Sequence, residues 1–157
     1  MRERHWTSAA SLAMLLAFCA AFAAAAQDVR PQDFIERNAM SRDEIIAAFV
    51  DQQLSGVYPS GTPWSELIRS DGSSDYREGG NRREGSWWFH SNDFCFRYDL
   101  PLSGGCFRVV RIGTNCYELY AVNPGELAAP GPQVGASWNG RMWRDDATAT
   151  CEERPSS

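Results

Sequence analysis

Residues 85–107 read GSWWFHSNDFCFRYDLPLSGGCF. Eight aromatic rings, His90 included, and two cysteines fall within this stretch. From Asp93 to Tyr98 the residues alternate: Phe94, Phe96 and Tyr98 on one parity, Cys95 and Arg97 on the other. A period of two is the mark of a half-buried β-strand. Setting Cys95 opposite Cys106 across the DLPLSGG connection also sets Phe94 opposite Phe107. Phe94, Phe96, Tyr98, Phe107 and Val109 then share the core face. Cys95, Arg97, Asp99, Cys106 and Arg108 share the other, with a disulfide as a cross-strand staple on the polar side. Val110 and Ile112 have the parity of Cys106 and break the pattern.

Working outward, short aromatic and β-branched runs alternate with Gly, Asn, Asp and Pro. Strands are expected near 56–59, 63–70, 73–78, 83–90, 93–98, 105–112 and 115–122, with an eighth near 137–144. The links Asp71-Gly72, Gly79-Gly80-Asn81, Ser91-Asn92 and Gly113-Thr114 are short, so consecutive strands are antiparallel neighbours. The fold class expected is mainly β, an antiparallel meander forming a small barrel or half-barrel. Asn123 to Ala136 reads as a Pro/Gly-rich loop. One N-terminal helix is expected over 42–54. Ser41-Arg42-Asp43-Glu44 is a capping box, and Ile45, Ile46, Phe49, Val50 and Leu54 recur at helical spacing.

The ends of the chain point to export. Arg2 and Arg4 precede an apolar run ending at Ala24-Ala25-Ala26, the pattern of a secretory signal peptide over 1–26. The organisation that follows is a polar lead-in (27–40), a single β-rich domain (41–144) and a tail (145–157) tethered by Cys151. The remaining 131 residues suit one domain. No membrane span is expected after the signal is removed. The net charge is −5, and one unit more negative without Arg2, Arg4 and Glu3. All cations are arginines, in no basic stripe, so nucleic acid is excluded as a partner.

Cys19 leaves with the signal peptide. Four cysteines remain, an even number that implies two disulfides in an exported chain. The turn at Gly113-Thr114 puts Arg111 opposite Cys116 and Ala121 opposite Cys106, so Cys106 and Cys116 lie too far apart along the strands. Cys95–Cys116 would skip a strand. Elimination leaves Cys95–Cys106 and Cys116–Cys151. Zinc does not fit, because there is no C-x-x-C pair and His90 is the one histidine outside the signal; no metal is expected.

Catalytic patterns are missing. There is no G-x-S-x-G elbow, no P-loop and no dinucleotide fingerprint, so neither an enzyme nor a cofactor is expected. Asp71-Gly-Ser-Ser-Asp75 lacks the ligands of a calcium loop. Binding features are stronger. Trp64, Trp87, Trp88, Trp138 and Trp143 exceed the needs of a small core and are candidates to line a cavity. Trp87, Trp88, His90, Arg97 and Arg108 are the candidate ligand-binding residues. Arg97 and Arg108 share a face; Arg111 has the opposite parity. The expected function is a periplasmic or secreted, non-catalytic module that binds a small apolar ligand or envelope component. The second reading is an inhibitor-like domain, with 27–40 plugging the cleft of an envelope or secreted enzyme.

The order of features over 41–122 resembles an uncharacterised family of small exported proteins from Gram-negative bacteria. The matching parts are the helix 41–54, the Asp71-Gly72 turn, Gly85-Ser86-Trp87, Cys95 and Cys106. The resemblance implies an exported domain of unknown function with no established active site, so no functional residue carries over. Cys116 and Cys151 lie outside the shared pattern.

Overall fold

The computed structural model describes residues 31–99, 104–123 and 133–151. The expected signal peptide, residues 27–30 of the lead-in, the middle of the Pro/Gly-rich loop and residues 152–157 of the tail lie outside the described residues. Two short helices, α1 (Gln32–Asn38) and α2 (Arg42–Phe49), precede nine strands. These are β1 (Gln52–Val57), β2 (Pro63–Ile68), β3 (Ser73–Glu78), β4 (Asn81–His90), β5 (Asp93–Tyr98), β6 (Gly105–Gly113), β7 (Cys116–Asn123), β8 (Gln133–Val134) and β9 (Gly140–Arg144). Strands β1 to β7 pair in sequence, and β9 pairs with both β7 and β1, which closes an eight-stranded antiparallel barrel. Among the described residues closure gives each of the eight barrel strands a partner on both sides, and β8 pairs with β7 beyond the end of β9. No helix among the described residues is long and apolar enough to cross a membrane.

The central hairpin has the register implied by its alternation: Phe94 faces Phe107 and Cys95 faces Cys106. The disulfides join Cys95 to Cys106 and Cys116 to Cys151, with Cα separations of 4.0 and 4.9 Å. Asn115 reinforces the second. Its side chain donates to the carbonyls of Arg144 and Ala147 and accepts from the Arg144 amide, which pins the chain leading to Cys151.

Three sequence expectations need correction. First, α2 ends at Phe49, not at 54. The capping box forms as expected, with the Ser41 amide donating to Glu44 Oε2 at 2.8 Å. Asp51 then turns left-handed (φ 59°), its amide donating to the Ile68 carbonyl and its carboxylate accepting from the Ser70 amide. Leu54 fits a helical face by spacing but lies on the inward file of β1, so the first strand starts at Gln52 rather than 56. Second, β6 bulges between Arg111 and Gly113. The extra residue sets Arg111 opposite Tyr117 and Cys106 opposite Val122, one position from the expected partners Cys116 and Ala121. Third, the lead-in contains a helix. Ile35 of α1 is fully buried against Val110 and Tyr120 on the outside of β6 and β7, with Phe34, Ile112, Val134 and Trp138 around them. The outward Val110 and Ile112 therefore belong to a second, external core.

The main core lies inside the barrel. Helix α2 plugs one end, placing Ile45, Ala48 and Phe49 against Leu54, Ile68, Phe94, Val109 and Tyr117. The Phe49 ring stacks on Phe94 at 6.3 Å and meets Tyr117 edge-on at 4.8 Å. Fully burying a side chain such as Phe49 contributes roughly 2–3 kcal/mol by area alone.

Candidate functional site

The inward files do not fill the other end of the barrel. Leu54 and Tyr58, Trp64 and Glu66 of β2, Tyr76 of β3, Phe96 and Tyr98 of β5, Phe107, Leu119, Asn139, Gly140 and Met142 line a cavity of about 530 Å³. Eight strands enclose either packed side chains or room for one small ligand. Two glycines shape the walls. A Cβ on Gly56 would lie 2.3 Å from the Trp64 ring, and one on Gly85 2.6 Å from the Tyr98 ring. Their absence lets the indole and the phenol lie flat against the barrel. The rings form a chain, with centroids 6.1 Å apart for Tyr58 and Trp64, 6.3 Å for Trp64 and Tyr76, 5.2 Å for Tyr76 and Tyr98, and 6.1 Å for Phe96 and Tyr98.

Polar groups are set into this aromatic wall at few points. The Tyr98 hydroxyl donates to Glu66 Oε1 at 2.8 Å. The Tyr76 hydroxyl donates to Glu78 Oε2 at 2.8 Å, so the 2.7 Å contact between Tyr58 and Tyr76 has Tyr58 as donor. Glu66 is buried, at 4 % exposure. Burial pushes its carboxyl up to about 7, against the pull of the nearby Ser74 and Tyr98 hydroxyls. Ser74 Oγ lies close by but outside hydrogen-bonding geometry, so Tyr98 is the direct partner. Burial also raises the hydroxyls of Tyr58, Tyr76 and Tyr98, which stay protonated through the neutral range. The Trp64 Nε1–H is buried with no acceptor. A buried donor left unpaired costs about 1–3 kcal/mol, a local cost of laying the indole flat against Gly56.

The five candidate residues scatter. Trp87 is on the inward file of β4 at the α2 end; its Nε1 donates to the Arg69 carbonyl at 2.8 Å and its ring meets Phe94 and Phe89 edge-on. It is part of the packed core. Trp88 faces outward across from Cys95 and is 43 % exposed. Trp88 and Arg97 border a second depression that shares Phe96, Gly104, Phe107 and Asn139 with the cavity. His90 is exposed at the end of β4, paired with Asp93 in the register. Arg108 binds buried Asp93 at 2.8 Å and Glu36 of α1 at 2.6 Å, which ties the helix to the barrel. Asp71 accepts from the amide and hydroxyl of Ser73, as turn chemistry requires. Among the described residues no group of three His, Cys, Asp or Glu is placed to hold a metal.

Of the tryptophans singled out in the sequence, Trp64 lines the cavity, while Trp138 lies under the Arg141 guanidinium on the outside. The sequence reading missed Glu66, Tyr58 and Tyr76. A signal for them exists in PWSELI: on alternating parity, Trp64, Glu66 and Ile68 form one inward file, and an acid inside an apolar file is unusual. No protein-family model matches this chain, and neither a curated protein nor a solved structure matches it.

Proposed function

We propose that this chain is an exported, non-catalytic binding module whose barrel cavity holds a small, largely apolar ligand or envelope component. The observation that carries this reading is the 530 Å³ aromatic cavity, with one buried carboxyl, Glu66, among its lining residues. Pockets for small molecules have this make-up, mostly apolar with a few placed polar groups. The two disulfides favour an oxidising compartment, hence the periplasm or the exterior. The inhibitor-like reading has less support, because residues 32–38 are committed to packing on the barrel through Ile35.

The test uses the neutral dye N-phenyl-1-naphthylamine, whose emission rises in apolar surroundings. The expected result is one-to-one binding that Leu119→Trp, by filling the cavity, weakens at least ~10-fold while leaving a cooperative unfolding transition. Absence of dye binding, or binding unaffected by the filled cavity, overturns the reading.

A further inference from the structure

The chemistry lining the cavity narrows the class of ligand. Six aromatic side chains, Tyr58, Trp64, Tyr76, Phe96, Tyr98 and Phe107, surround one acid, Glu66. Ring faces carry negative electrostatic potential and attract cations. Among the described residues no arginine pairs with Glu66; its partner is the neutral Tyr98 hydroxyl. The nearest inward arginine is Arg83 of β4. The register sets Glu66 opposite Tyr76 and Tyr76 opposite Arg83, so Arg83 is two strands away, roughly 10 Å at normal strand spacing. Arg83 lies instead beside Glu78 in a smaller recess of about 280 Å³. A buried carboxylate without a cation is costly, and removing one such acid would improve the packing of an ordinary core. Here the acid stands where a ligand would reach it.

We propose that the cavity selects a protonated organic amine, its ammonium group held between the Glu66 carboxylate and the tyrosine and tryptophan ring faces, its apolar body filling the space toward Leu119 and Met142. This rests on the cavity being the binding site and adds the charge of its ligand.

Three probes share one body and differ in head group: octylamine, octanol and octanoate, each displacing N-phenyl-1-naphthylamine. Octylamine is expected to displace the dye at least ~10-fold more effectively than octanol, with octanoate weakest. Glu66→Gln is expected to bring octylamine to parity with octanol. In the unaltered protein, octylamine affinity should fall about tenfold between pH 8 and pH 6, as Glu66 takes up its proton, while octanol affinity stays level. The other titratable groups around the site are Tyr58, Tyr76, Glu78 and the outward Asp75 of β3, Arg83 and Tyr98. The three tyrosines keep their protons across this range, and Arg82 holds Asp75 below the usual carboxylate range. The wild-type pH series decides the matter even if Glu66→Gln does not fold. Equal displacement by all three probes overturns the amine and leaves the apolar cavity standing. Preference for octanoate overturns it in favour of Arg83. A dye that never binds removes both readings.

Discussion

At the α2 end of the barrel, Phe49 meets Phe94 and Tyr117 ring to ring, Ile45 and Ile68 pack in the same cluster, and the Arg69 carbonyl accepts from the Trp87 N–H. At the other end the same inward files carry Tyr58, Trp64, Glu66, Tyr76 and Tyr98 around open space. One strand can serve both. On β5, Phe94 belongs to the packed end and Tyr98 to the cavity, four residues along the same file. The difference lies in what plugs each end. A helix supplies side chains to one, and nothing among the described residues supplies them to the other. Stability should therefore be concentrated at the α2 end, and sensitivity to pH and ligand at the cavity end.

The largest effect should come from Phe49→Ala. Truncating a fully buried phenylalanine costs about 3–5 kcal/mol, read as a fall in the urea midpoint. Dye affinity of the folded fraction should change less than ~3-fold, because the cavity walls are untouched. A large loss of affinity alongside would show that the two ends are coupled and break the comparison.

Next in size is the pH response of the cavity end. The folded carboxyl of Glu66 keeps its proton up to about pH 7, whereas an unfolded glutamate loses it near 4.5. The folded state thus binds more protons between these values, and stability declines as pH rises through that window, by up to about 3 kcal/mol. Asp71, Asp75 and Glu44 are all shifted the other way, so their contributions are lost only at lower pH, as it falls through the acid range. Urea unfolding at pH 5 and pH 8 should show the wild type less stable at pH 8 and Glu66→Gln nearly level. Equal slopes for the two proteins would sink the assignment.

The packed parts were more legible in the sequence than the open one, for a physical reason. Strand alternation in 93–98 and the opposition of Phe94 to Phe107 follow from a strict period of two, and the turns are marked by Gly, Asn and Asp. The capping box at Ser41 is a local signal and forms as read. What misled were residues that satisfy two patterns. Leu54 fits a helix face and a strand file alike, and only the left-handed turn at Asp51 decides between them. The bulge after Arg111 leaves no clear mark, since Ile112 suits either register. Val110 and Ile112 looked like errors of alternation until α1 covered them. The site was legible only in part. The stretch crowded with aromatics, 85–107, is mostly wall and core, and it contributes Phe96, Tyr98, Gly104 and Phe107 to the cavity. The acid that gives the cavity its character stands in the quieter PWSELI.

The smallest predicted effect also tests the separation of the ends most cleanly. Ser41 accepts from the Glu44 amide and donates its own amide to the Glu44 carboxylate, which caps α2 one residue after Met40 docks on the Val109 carbonyl. Ser41→Ala removes the side-chain half of that cap and should cost about 1 kcal/mol. The loss belongs wholly to the plugged end, so the melting temperature should drop by a few degrees while dye binding and its pH dependence stay as they were. Were the cap variant to alter dye affinity, α2 would be acting on the cavity through the length of the barrel. The division between a structural end and a binding end would then have to give way to a single cooperative interior.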